Sequence, residues 1–219
     1  MEIPSLFASS SSPDARLKKL EYMRGLPYQT PSEDFLNYGF DYFDNAEIRS
    51  GYSHYCYDGR FKTAARSIAD YYHLKPGSLI ADFGCAKGYL LFEFLQLGFE
   101  VIGFEASRYA IENAKPEVKP SIVEYKSLSD LNRKNCDLLV SRCVLPHLET
   151  AEILKMIEAS IAISKHRPYF VVHTFQHEQN RDDYVFWDRT HRTVFTANQW
   201  REFFKPYDSR LNYSLDILF

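Results

Sequence analysis

From Ser78 to Thr174 the chain alternates short apolar runs with stretches of helical periodicity, and few folds accept that pattern. Ser78–Phe83, Glu100–Phe104, Ile122–Tyr125, Asp137–Ser141 and Tyr169–Thr174 read as strands, with Tyr213–Phe219 as a terminal one. Tyr89–Leu97, Arg108–Ala114, Thr150–Ser164 and Ala197–Phe204 read as helices between them. Apolar runs of this kind are buried on both faces, as in a mostly parallel sheet covered by crossover helices. Upstream, residues 1–12 read as a frayed tail, and Ala15–Arg24 as a helix carrying Leu17, Leu20 and Met23. Residues 25–58 hold many aromatics and no clean period, and Arg60–His73 is a further helix. The expected division is a tail and cap over 1–58 and the main domain over 59–219.

Composition excludes several classes. No stretch approaches the roughly 18–20 consecutive apolar residues of a membrane span. The N-terminus lacks the basic-then-apolar order of a signal peptide. Four cysteines form no CxxC pair, so reduced thiols and a cytoplasmic location are expected. With 26 Lys+Arg against 29 Asp+Glu, no overall positive field collects nucleic acid.

The first strand–helix turn is Ala81-Asp82-Phe83-Gly84-Cys85-Ala86-Lys87-Gly88. Two glycines let the backbone turn tightly and approach a ligand where a Cβ would collide. In an open α/β sheet, ligands bind there, beyond the carboxyl ends of the strands. A dinucleotide fingerprint fails on two counts. Its third glycine position is Tyr89, and Asp82 would face a pyrophosphate's negative charge. A ligand with an ammonium group and a cationic centre suits that acid better.

Asp82–Gly88 resembles motif I, D/E-x-G-x-x-x-G, of class I S-adenosylmethionine-dependent methyltransferases. Glu105 follows at the end of the second strand, about twenty residues beyond Gly84, where ribose-binding acids sit. Ala106–Ile111 resembles the segment that opens the family's next helix, and Cys136–Leu148 the family's fourth strand and its exit. The resemblance implies a Rossmann-like three-layer sandwich, a mostly parallel seven-stranded sheet with a helical, aromatic-rich N-terminal cap. It implies S-adenosylmethionine as cofactor and S-adenosylhomocysteine as product. Asp82 would hold the methionine end, and Gly84, Cys85, Ala86 and Gly88 would wrap the ligand, with negative φ at Ala86. Glu105 and Ala106 would take the ribose side and Ser127 and Leu128 the adenine side. The Ser141-Arg142 backbone would pass the methionine end. The Asn/Asp-Pro-Pro-Tyr/Phe motif of amino-group nucleic-acid enzymes is absent after strand four, where Ser141-Arg142-Cys143-Val144 stands.

Acceptor choice falls to the flanking segments. Tyr52 is expected at the acceptor, and Tyr57 and Arg60 at the cofactor, where Arg60 would pair with its carboxylate. After strand five come His173, His177, Asp188 and His191. Methylating a hydroxyl requires removal of its proton, and histidine has a suitable pKa. His173 and His191 are the leading candidate bases, His147 is next, and His177 and Asp188 are expected to bind the acceptor. No metal is expected, because His173 and His177 lie on an irregular strand exit and no cysteine joins them. The reading is a methyltransferase acting on a small-molecule hydroxyl, for example of a sugar or other polar metabolite. The alternatives are a catalytically weak methyltransferase-like subunit, or a protein or nucleic-acid methyltransferase.

Overall fold

The computed structural model describes residues 1–7, 12–27, 30–133 and 135–219. Its strands are β1 (Leu79–Phe83), β2 (Glu100–Glu105), β3 (Ile122–Glu124), β4 (Leu138–Arg142), β5 (Tyr169–Thr174) and β6 (Asn212–Ile217). They form one sheet in the order β3-β2-β1-β4-β5-β6, with every pairing parallel. The helices are α1 (Pro13–Gly25), α2 (Glu33–Leu36), α3 (Phe40–Phe43), α4 (Lys62–Tyr71), α5 (Tyr89–Gln96), α6 (Arg108–Glu112), α7 (Thr150–Ile163), α8 (Arg181–Trp187) and α9 (Ala197–Phe204).

Side-chain alternation along the strands sorts the helices into two layers. Ile80, Leu138, Val140, Tyr169 and Val171 face α4 and α5, packing on Ala65, Ile68, Leu90 and Phe94. Their neighbours Leu79, Ala81, Leu139, Phe170 and Val172 face α7 and α9, packing on Ile153, Met156, Ile157, Trp200 and Phe204. Both faces are therefore dry, which explains why the strands read as unbroken apolar runs. Order reverses between β1 and β4, and the crevice at the carboxyl ends there is where such sheets take ligands.

Two expectations need correction at the sheet's far edge. Six strands form among the described residues rather than seven. The chain's first residues are also not a frayed tail. The Tyr213 amide donates to the Met1 carbonyl at 3.0 Å, and the Ile3 amide donates to the Tyr213 carbonyl at 2.8 Å. Ile3 and Phe7 are buried. Their apolar contacts hold the strap, which pairs backbone groups that β6 would otherwise leave open. In α1 the buried face is Arg16, Leu20 and Met23, spaced by four and three residues, so Leu17 points outward.

The cap, α1 to α3 and the loop to Tyr57, lies over the carboxyl ends of β1 and β4. Phe35, Tyr42, Phe43 and Tyr55 join the core below them. One polar anchor fixes it. Buried Lys87, from the glycine loop, reaches Asp44 at 2.6 Å and the Tyr55 carbonyl at 2.9 Å. The Tyr109 hydroxyl donates to the same Asp44 at 2.6 Å.

Candidate active site

The turn after β1 needs its glycines. Gly84 has φ +75°, and a Cβ there would lie 2.2 Å from Val144 Cγ2. Gly88 has φ +73°, with Val118 2.7 Å from the same position. Ala86 was expected at negative φ, but it sits at +51°. The strain of an L-residue there, about 1–2 kcal/mol, is held by Glu105. Its carboxylate accepts the Ala86 amide at 2.7 Å and the Ser107 amide at 2.8 Å. Burial raises the Glu105 pKa, and these amides pull it back. Each oxygen keeps a free lone pair for further donors.

Glu105, Ala106, Gly84 and Ala86 line a cavity of about 270 Å³ with Tyr125, Val144 and Leu148. Asp82, Gly84, Cys85, Ala86 and Arg142 line a smaller one beside it. The Asp82 carboxylate has no hydrogen-bond partner among the described residues, although it is 4% exposed. Burial, and secondarily the Glu105 charge, pushes its pKa up to about 7. An unpartnered carboxylate beside a glycine cradle, with a second acid one strand away, fits an amino-acid nucleoside ligand.

A third cavity, of about 610 Å³, lies over β4 and β5 under the cap. His147, Arg142, Cys143, Tyr42 and Tyr52 line both this chamber and the first cavity. Asp188 and His173 line the larger one only, with Lys19 reaching in from α1. Asp188 takes three hydrogen bonds. It accepts the Tyr42 hydroxyl at 2.9 Å, the Thr190 amide at 3.0 Å and the Thr190 hydroxyl at 2.6 Å. Burial opposes its charge, but His147, His191 and Thr190 hold its pKa below the usual carboxylate range. Because Thr190 gives its one hydroxyl proton to Asp188, it accepts from His147 Nδ1 at 2.8 Å. His147 therefore carries its proton on Nδ1 and keeps the Nε2 lone pair. Burial lowers its pKa, so the ring is neutral at pH 7.

The two leading histidines come out differently. His173 Nε2 stands 3.3 Å from Asp216 Oδ2, at ion-pair distance but outside hydrogen-bond alignment. Burial disfavours its charge, yet Cys143 and Asp216 outweigh that and raise its pKa to about 9. An imidazolium cannot accept a proton. His191 lines none of these cavities and stacks on Tyr184 at 4.4 Å. Burial drops its pKa to about 3. His147, Asp188 and His191 nevertheless present ligand atoms within 4.8 Å of one another. That is a donor set of the kind divalent metals use.

Several expected residues lie elsewhere. Tyr57 is exposed, donates to Glu93 at 2.8 Å and lines none of these cavities. Exposed Ser127 bonds Ser129 and half-buried Leu128 packs on the core below, whereas Tyr125 and Leu148 line the first cavity. Ser141 donates to the Phe83 carbonyl at 3.0 Å, a tie between β4 and β1. His177 is exposed on the connection before α8. Arg60 reaches the large chamber, already paired with Asp58 at 2.7 Å. Tyr125 had a signal, its place at the end of a strand. Lys19 and Thr190 had none, because only tertiary packing brings them to the site.

This fold and site define a Rossmann-like protein whose switch-point crevice takes an adenosyl amino acid. A family model described as a methyltransferase domain matches residues 58–211. A solved S-adenosylmethionine-dependent methyltransferase from Archaeoglobus fulgidus is 18% identical over 66% of each chain, with a TM-score of 0.53. Magnesium protoporphyrin IX methyltransferase from Synechocystis, with bound S-adenosylhomocysteine, is 18% identical over 80% of this chain and 85% of that one, with a TM-score of 0.54. A search of curated proteins found no match. The chain belongs to the class I S-adenosylmethionine-dependent methyltransferase family.

Proposed function

We propose that the protein methylates a hydroxyl of a small-molecule acceptor, with His147 as general base. One observation carries this reading: neutral His147 stands on the wall common to the cofactor cavity and the large chamber, with its Nδ1 proton committed to Thr190. The cofactor supplies a methyl group already activated on a sulfonium. What the chain adds is position, dryness and a proton acceptor.

In this reading Asp82 holds the ammonium and Glu105 the ribose. The cap, α1 to α3 and the loop to Tyr57, closes with Tyr42 and Tyr52 over the transfer site and keeps water out. The acceptor oxygen attacks the methyl carbon as the sulfur–methyl bond breaks, and its proton passes to His147 Nε2. Asp188, through Thr190, keeps the ring in the required tautomer. The size of the chamber under the cap, about 610 Å³, supports a small molecule over a protein or nucleic-acid strand.

The experiment is to screen hydroxylated metabolites by adenosylhomocysteine release, then compare variants on the acceptor found. His147→Gln should lower turnover about 10²–10⁴-fold with cofactor affinity unchanged. His173→Gln should leave the base in place. Full turnover in His147→Gln would sink the assignment. Tight cofactor binding with no turnover on any metabolite would point to a binding subunit instead.

A further inference from the structure

Arg142 ends β4 and lines the cofactor cavities and the large chamber alike. Its guanidinium carbon lies 5.3 Å from the Phe7 ring centre and 5.7 Å from that of Phe61. Nε is fully buried without a partner. No hydrogen bond or ion pair joins either terminal nitrogen to a described residue. Arginine keeps its charge at any accessible pH. Arg142 is half-buried, and a charge largely removed from water with no ion pair at contact distance is costly to retain.

Asp82 shares the small cavity with Arg142 without standing at ion-pair distance from it, and the other acids nearby are already engaged. Asp216 pairs with His173, Asp58 with Arg60, and Asp188 serves Tyr42 and Thr190. Across the chamber the Lys19 ammonium sits 4.4 Å over the Trp187 ring and 3.5 Å from the Gly51 carbonyl, without an ion-pair partner. Phe7 lines the large chamber and Phe61 lines both that chamber and the small cavity, so the guanidinium stands where the two spaces meet.

Building on the hydroxyl-methylation reading, we propose that the acceptor is a hydroxy acid. Its carboxylate docks on Arg142 between the Phe7 and Phe61 rings while its hydroxyl reaches His147. A guanidinium fork matches a carboxylate with two parallel hydrogen bonds, which gives orientation as well as attraction. Water or a neutral hydroxyl leaves the charge uncompensated.

The test uses the full chain saturated with S-adenosylhomocysteine, as wild type, Arg142→Met and Arg142→Lys. The probes are acetate, benzoate and 4-hydroxybenzoate, each beside its amide. Thermal melting is expected to rise with at least one carboxylate and with no amide in the wild type. The rise should shrink in Arg142→Lys and vanish in Arg142→Met. Ligand-free Arg142→Met should melt no lower than wild type, because an unpaired charge has been removed. Adenosylhomocysteine affinity should stay within about twofold. The proposal is overturned if no carboxylate stabilises the wild type, or if Arg142→Met responds equally. It is also overturned if Arg142→Met loses adenosylhomocysteine more than tenfold while binding its decarboxylated analogue as wild type does. That result would place the cofactor's own carboxylate on Arg142. A wild type that binds no adenosylhomocysteine at all would fail the methyltransferase reading itself.

Discussion

Replacing Asp82 by Asn should stabilise the ligand-free protein and weaken its cofactor binding. In the folded chain burial lifts the Asp82 carboxyl from 3.8 to about 7. Between those values the folded state retains a proton that the unfolded state has released, so stability falls as pH rises from about 4 to about 7. Above that window the deficit is about 4 kcal/mol at most. The amide of the variant has nothing to ionise. Asp82→Asn should therefore melt roughly 10 °C above wild type at pH 8, with the gain fading toward pH 4. With ligand the order reverses. Losing a charged acceptor for the ammonium should weaken adenosylhomocysteine by about 1.5–3 kcal/mol. Calorimetry in two buffers of different ionisation enthalpy gives a second readout. At pH 7 the wild type should release about half a proton more than the variant, as the ammonium drives Asp82 to ionise. A variant less stable than wild type at pH 8, or equal proton release, would refute the reasoning.

Glu105→Ala should weaken adenosylhomocysteine by about 1.5–3 kcal/mol and lower stability by about 1–3 kcal/mol. The second loss arises because the Ala86 and Ser107 amides lose their acceptor; unchanged affinity in the folded variant would leave Glu105 a purely structural role. Ala86→Gly relieves a left-handed alanine and should gain about 0.5–1 kcal/mol by thermal melting, the buried methyl being a partial offset. Chelation with EDTA should leave turnover intact if His147 acts as the base. Activity lost to EDTA and restored by a divalent cation would assign His147, Asp188 and His191 to a metal.

The cofactor half of the site was legible because it depends on local geometry. Gly84, Gly88 and Glu105 are set by strand ends and one tight turn, and their spacing survives any rearrangement of the cap. The acceptor half depends on contacts between distant segments. His173 looked like a base from its strand end alone, but its charge state comes from Cys143 and from Asp216, which lie on β4's exit and on β6, more than forty residues away in the latter case. His147 needed Thr190 and Asp188 from another loop to define its proton. Tyr57 has the same composition and neighbourhood as Tyr55, and only the fold turns one outward and the other in. The seventh strand came from the family resemblance alone: the residues themselves read as six strands, and six form among the described residues.

That strap ties the molecule's order of assembly to its far end. Met1 and Ile3 meet Tyr213 across nearly the full chain. During synthesis the strap leaves the ribosome well before its partner strand β6. Until then Ile3 and Phe7 lack the surface that buries them, and one wall of the chamber beside Arg142 is missing. The domain can acquire its nucleotide crevice from β1, β2 and β4 well before that point. The crevice beside Gly84 is thus built from elements synthesised before β6, whereas the wall of the large chamber that Phe7 supplies waits for the strap to meet β6.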